Sequence, residues 1–358
     1  MLERRIERLR LKMAAGNLDA VLVSDISNVF YLTGFTGSTA AAIVTGEACH
    51  VLVDPRYTVQ ARAECALSTV VEYSGKSTVA AVGELLSDLK PRRMGYEADH
   101  LTVSLYRVLR SRTDSATAFR STKGLVEALR RVKDAGEIEL IREACGIADA
   151  AFSSIIREIR GGMSEKDVAL LVDSTLRKLG ADKEAFDTIA ASGPRAACPH
   201  ASPTDAVLEP GSLLTLDFGA RYRQYNSDIT RTICLGQPSA KQKEVYGIVL
   251  DAQLRAIDAI GPGKAGKDID AVARDYIAAK GYGDNFGHGL GHSLGILVHD
   301  GPALSHTSEV ILEPGMIVTV EPGIYIEGWG GVRIEDDVLV TESGAEVLTS
   351  ATREFLSF

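Results

Sequence analysis

The chain has 358 residues, 45% of them hydrophobic, five cysteines and a formal charge of −9. That length suits two domains, and the apolar content is enough to fill their cores, which excludes a disordered chain, a collagen-like repeat and a disulfide-stapled miniprotein. No apolar run reaches the roughly 20 residues of a membrane span, and the acidic excess, which lies beyond residue 120, repels nucleic acid and suits divalent cations.

Residues 1–13 place Leu2, Ile6, Leu9 and Met13 at helical spacing with Glu3 and Glu7 among basic residues, so an amphipathic helix is expected, not a targeting peptide. Strand-like runs follow at 20–23, 41–44 and 50–53, then helical patterns at 59–64 and 79–89. These make a small α/β domain. Residues 119–124 read as a short polar connection, and a long helical pattern starts near Glu137. The expected boundary lies near residue 122, separating 1–122 from 123–358. The cysteines (Cys49, Cys65, Cys145, Cys198, Cys234) are odd in number and never spaced C-x-x-C, so a reducing cytoplasm fits and a thiolate zinc site does not.

The second region repeats itself. Ile159, Gly162, Lys166, Asp167 and Gly180 recur 101 residues later as Ile260, Gly263, Lys267, Asp268 and Gly281. Leu208-Glu209-Pro210-Gly211 recurs 104 residues later as Leu312-Glu313-Pro314-Gly315, followed by Thr215 on Thr319 and Gly219 on Gly323. A tandem ααβ duplication is expected. In that register Asp217 falls on Glu321, each ending a strand-like run, and each is followed by a second acid, Asp228 or Glu335. If the copies pack about a pseudo-twofold axis, four carboxylates converge. Like charges in a cleft raise one another's pKa unless cations neutralise them, so bound divalent metal is the economical solution. The glycine-rich run 286–295 offers His288 and His292 on a backbone that can approach an ion closely. Four carboxylates with one imidazole suit Mn²⁺, Co²⁺ or Zn²⁺, and two such ions can hold a hydroxide between them at neutral pH.

At this point the chain resembles the pita-bread metallopeptidases: aminopeptidase P, prolidase and, more distantly, methionine aminopeptidase and creatinase. The matching text is Pro199-His200, Asp217-Phe218-Gly219, Asn226-Ser227-Asp228-Ile229-Thr230-Arg231-Thr232, Gly291-His292 with His299 beyond, Glu321-Pro322-Gly323-Ile324-Tyr325 and Val332-Arg333-Ile334-Glu335-Asp336. The resemblance implies an α+β pita-bread catalytic domain behind a creatinase-like α/β domain, and hydrolysis of the bond between an N-terminal residue and proline. It further implies two divalent ions, Mn²⁺ first among the candidates, on Asp217, Asp228, His292, Glu321 and Glu335. Glu321, His200 and His299 would be catalytic; His200, His288, His299, Tyr325 and Arg333 would face substrate; the partners would be a proline-containing peptide and a second copy in a homodimer. Ser293 stands where the family usually has Gly, Asp300 where Glu is usual and Asn226 where Asp is common. None of these removes a metal ligand.

Gly261-Pro262-Gly263-Lys264-Ala265-Gly266-Lys267 mimics a nucleotide loop but follows a helix and lacks the closing Ser or Thr. Gly291-His292-Ser293-Leu294-Gly295 fits a serine-hydrolase elbow, yet the only later histidines, His299 and His306, lie too close to build that fold. A methionine aminopeptidase-like enzyme would not need the N-terminal domain, and a non-catalytic scaffold would not need the acids. Arg195 reads either as a substrate contact or as a loop cap.

Overall fold

The computed structural model describes all of residues 1–358. The chain divides into two compact units, Met1–Arg130 and Arg131–Phe358, and no helix is long and apolar enough to cross a membrane.

The first unit is built on a six-stranded mixed sheet in the order Thr69–Glu72, Cys49–Val53, Ala41–Thr45, Ala20–Val23, Arg93–Glu97, Ala118–Thr122. Its central strand, Ala-Val-Leu-Val, is buried at every position, as a strand covered on both faces must be. The expected strands and helices form. Residues 119–124 differ from the expectation: most of them belong to an edge strand paired in parallel with Arg93–Glu97. An edge strand with a solvated face has a polar composition that is hard to tell from a loop. The unit continues past residue 122 because the short helix Glu127–Arg130 is tied back to it. Tyr31 donates to the Leu129 carbonyl at 3.0 Å, and Arg130 donates to Asn28 Oδ1 at 2.6 Å.

The second unit contains the duplication. Helices Ala135–Ile155 and Glu165–Lys178 lead to the antiparallel strands Leu213–Phe218 and Ile229–Cys234. Helices Ala240–Ala259 and Gly266–Ala279 lead to Ile317–Val320 and Asp336–Val340. The repeated glycines have a backbone reason. The pairs Gly162/Gly263, Gly180/Gly281 and Gly211/Gly315 have φ of +90°/+80°, +109°/+88° and +82°/+88°, a region that L side chains avoid. Gly162 N donates to Leu208 O and Gly263 N to Leu312 O, so the nucleotide-loop mimic is a structural turn shared by both copies. Each strand pair buries one face on its own helices. Leu214, Leu216, Phe218 and Ile229 pack with Ala148, Phe152 and Val172, while Val318, Val320, Val338 and Val340 pack with Val249, Ile269 and Ile277.

The seam between the copies is polar. Strand Ile229–Cys234 runs beside 333–335: Glu335 N donates to Thr230 O and Arg333 N to Thr232 Oγ1, each at 3.1 Å. Arg231, 1% exposed, donates to Asp336 Oδ1 at 2.8 Å and to the carbonyls of Thr230, Ala351 and Thr352. Removing one member of a buried ion pair strands the other charge. Arg231→Leu is therefore expected to lower unfolding free energy by about 3–5 kcal/mol, measured by urea titration with the ions held constant. A loss below about 1 kcal/mol would show that Arg353 and Gln253, which also reach Asp336, suffice to hold it.

Candidate active site

The four acids occupy equivalent places in the two copies. Asp217 lies near the end of strand Leu213–Phe218, and Glu321 directly follows Ile317–Val320; Asp228 and Glu335 directly precede the partner strands. Buried apolar runs carry the backbone to the seam, and the acids take over where the runs stop. Because Thr230 O binds Glu335 N, the segments bearing Asp228 and Glu335 lie side by side.

His292 joins them from the glycine-rich loop. Its Nε2 lies 3.6 Å from Asp228 Oδ2 and 3.5 Å from Glu321 Oε1, and the donor atoms of Asp228, His292 and Glu335 all fall within 4.8 Å of one another. His292 N donates to Thr319 Oγ1 at 3.0 Å, and its Nδ1 faces Ser293 O at 3.3 Å. A proton on Nδ1 leaves Nε2 as a lone pair turned to the acids. Burial, then the neighbouring His299, push the His292 pKa down to about 3, so the ring is neutral.

These five side chains, with His200 and His299, line one cleft of about 420 Å³ whose other walls include Phe186, Ile189 and Val298. The carboxylates are electrostatically overloaded. Burial first, then the charges of Glu335 and Asp217, hold Asp228 well above the usual carboxylate range. Burial followed by Glu321 and Asp217 does the same to Glu335. Glu321 is pushed up to about 8 by burial, Arg333 opposing and Asp217 adding. Asp217 Oδ1 and Asp228 Oδ1 are buried with no hydrogen-bond partner. Orphaned carboxylate oxygens beside a neutral imidazole lone pair are a donor set that fits divalent cations.

The other expected residues divide into two groups. His200 and His299 are exposed on the cleft wall. His288, Tyr325 and Arg333, expected to face substrate, do not line the cleft; they form a chain behind Asp217. Arg333 Nη2 donates to Asp217 Oδ2 at 2.6 Å and Nη1 to Tyr325 Oη at 2.9 Å. Tyr325 Oη is 2.8 Å from His288 Nε2, and His288 Nδ1 is 2.7 Å from Gly289 O. With His288 held neutral by burial, its pKa about 4, its Nδ1 can donate to Gly289 O while its Nε2 accepts from Tyr325 Oη. The physical reason for the displacement is the buried charge on Arg333, which is paired to Asp217 instead of being presented to a ligand.

Three contributors were not read from the sequence. Thr230 Oγ1 donates to Glu335 Oε2 at 2.6 Å and accepts from Arg333 Nε at 3.0 Å. Thr319 Oγ1 donates to Glu321 Oε1 at 3.3 Å; its identity with Thr215 across the repeat was the available signal. Asp337 Oδ2 accepts from Asp228 N at 2.9 Å and from the Cys145 thiol at 3.3 Å, fixing the backbone that carries Asp228. Asn226 Nδ2 donates to the carbonyls of Gly295 and Ile296, bonds that an Asp carboxylate could not make. Ser293 is buried and donates its hydroxyl to Pro302 O, which removes it as a nucleophile.

The chain matches metallopeptidase family M24 over residues 139–342 and the creatinase/prolidase N-terminal domain over residues 5–132. It is 39% identical to a Pyrococcus furiosus protein named Xaa-Pro dipeptidase, covering 99% of this chain and 100% of that one. The structure of an Xaa-Pro dipeptidase from Bacillus anthracis matches with a TM-score of 0.96 and 43% identity over the full length of both chains. That of an X-Pro aminopeptidase from Thermotoga maritima matches with a TM-score of 0.90 and 41% identity, covering 96% of this chain and 98% of that one. A duplicated pita-bread unit that follows a creatinase-type domain in the sequence, a cleft whose donors fit divalent ions, and whole-chain relatives at these identities place this chain in metallopeptidase family M24, to which it belongs.

Proposed function

We propose that the cleft hydrolyses the bond between an N-terminal residue and proline, in dipeptides or longer peptides, with Asp217, Asp228, His292, Glu321 and Glu335 holding two divalent ions, Mn²⁺ by preference. The observation that carries this reading is that those five donors line one cleft, four of them within a few ångströms of His292 or one another, with two buried oxygens unpartnered. The names of the whole-chain relatives support the choice of proline. Five free cysteines support a cytoplasmic location, and the resemblance in sequence supports a homodimer.

When bound, such ions polarise a carbonyl and lower the pKa of water. The protein's own groups do the rest. A proline nitrogen in an amide carries no hydrogen and must gain a proton to leave. Glu321 is the carboxyl placed to deliver it, facing the cleft with Thr319 steadying its Oε1. His200 and His299 stand on the wall where a scissile carbonyl would lie, and as donors they would stabilise charge growing on its oxygen. Arg333 keeps Asp217 oriented, and Tyr325 and His288 keep Arg333 in place.

The test is a length series of Gly-Pro and Xaa-Pro peptides with Mn²⁺, Co²⁺ and Zn²⁺ in turn, products identified by mass. Release of the residue before proline is expected. Failure with every ion, or equal cleavage of matched peptides lacking proline, would refute the proposal.

A further inference from the structure

The loop carrying His200 is gripped by an acid outside the cleft. Glu165, the first residue of helix Glu165–Lys178, is fully buried. Its Oε1 accepts from Ser192 N at 2.8 Å and Ser192 Oγ at 3.1 Å, and its Oε2 from Thr204 N at 3.0 Å and Thr204 Oγ1 at 2.7 Å. Arg195 Nε lies 3.0 Å from Oε2, and Arg195 Nη2 donates to Ser202 O at 2.7 Å. One carboxylate therefore holds both ends of segment 192–204, and its arginine holds the middle. Burial works against this charge, yet the donors from Ser192, Thr204 and Arg195 leave its pKa below the ordinary carboxylate value. Arg195 is thereby a loop cap.

The second copy holds its own histidine loop by the same chemistry. Asp270, on helix Gly266–Ala279 and also fully buried, accepts from Arg274 at 2.7 and 2.9 Å and from Leu290 N at 3.0 Å. Arg274 donates to the carbonyls of Phe286 and His288. The two acids are not equivalent in the repeat, since Glu165 corresponds to Gly266 at the offset of 101. Duplication alone does not account for both clamps. What they share is that each restrains a loop that carries or leads into a cleft histidine, His200 in one copy and His292 in the other.

We propose that Glu165 and Arg195 are positioning residues that hold His200 in its reactive place, an inference that rests on the role given to His200 above. A side chain held about 1 Å out of place can lose about a hundredfold in rate. Glu165→Gln would turn an amide donor toward groups that are already donors. It is expected to lower kcat for Xaa-Pro hydrolysis about ten- to a hundredfold, with KM within about twofold, metal content unchanged and faster amide hydrogen exchange across 192–204. In a His200→Ala background the same change should cost less than about twofold, since residues acting as one unit are not additive. Arg195→Met, on a partly exposed side chain, supplies a second variant should Glu165→Gln fail to fold, with a smaller loss and the same non-additivity. A loss that multiplies fully in the His200→Ala background, or unchanged exchange across 192–204, overturns the positioning role. A parent protein that cleaves no Xaa-Pro peptide while Glu165→Gln loosens the loop overturns the functional reading instead.

Discussion

Asp228→Asn should abolish metal binding and lower kcat/KM by about 10³-fold or more while leaving the ion-free protein as stable as the parent or more stable. The loss follows from the several kcal/mol that metal ions contribute to a hydrolytic transition state, each 1.4 kcal/mol being tenfold in rate. The stability half follows from the site itself. Asp228 is 4% exposed, its Oδ1 has no partner, and burial together with Glu335 and Asp217 disfavours its charge. Asparagine keeps the shape and the backbone bond to Asp337 but removes a group whose ionisation the buried, acidic surroundings oppose. This is the pattern of a site whose geometry is unfavourable until its ligand arrives. Metal analysis, kinetics with Mn²⁺ and thermal unfolding in chelator provide the check. An ion-free variant less stable than the parent by more than about 1 kcal/mol would mean that Asp228 serves the fold and not the ions.

The comparison with Glu165 sharpens the point. Both acids are buried, but Glu165 meets backbone and side-chain donors on both oxygens and stays charged, whereas Asp228 meets other acids. A chain able to satisfy one buried carboxylate so completely leaves the other unsatisfied only where something else supplies the positive charge.

Much of the site was legible because the repeat made it so. The pairs Gly162/Gly263, Gly180/Gly281 and Gly211/Gly315 are glycines that the turns require at positive φ, and the last of them, 104 residues apart, shares the register that sets Asp217 on Glu321. The acids ended buried runs, a pattern visible without coordinates. The directions of His288, Tyr325 and Arg333 were not legible, since nearness in sequence to His292, Glu321 and Glu335 says nothing about which side of Asp217 a long side chain takes. Thr230, Asp337 and Glu165 act across 105, 109 and 39 residues, respectively, and no local pattern marks such contacts. In the first unit three strands were overlooked: Thr69–Glu72 and Ala118–Thr122 form the two edges of the sheet, where solvated faces erase the apolar signal, and Arg93–Glu97, although interior, has the mixed sequence Arg-Met-Gly-Tyr-Glu that carries no apolar run.

The same electrostatics predict an unusual pH dependence. With chelator present, the unfolding temperature should fall as pH rises from 6.5 to 8.5, and Mn²⁺ should stabilise the protein more at the upper end. Glu321 has its pKa raised from 4.5 to about 8, and Asp228 and Glu335 are raised as well. Between the unfolded and folded values the native state binds more protons than the unfolded chain, so stability is full below the unfolded pKa and is lost as pH climbs through the folded one. Histidines set the lower limit of this window. His292 and His288, at about 3 and 4, resist protonation when folded, so below about 6.5 they favour the unfolded chain and offset the carboxylates. Above 6.5 they are largely neutral in both states, and the acids set the slope until the buried thiols, whose pKa values burial also raises, add to it in the same sense near the upper end. A divalent ion replaces those protons, so its affinity must rise over the same interval. Thermal scans at half-unit steps, with chelator and with excess Mn²⁺, separate the two curves. An ion-free protein whose stability is flat or rising from pH 6.5 to 8.5 would mean that neither burial nor mutual repulsion raises the pKa values of these acids.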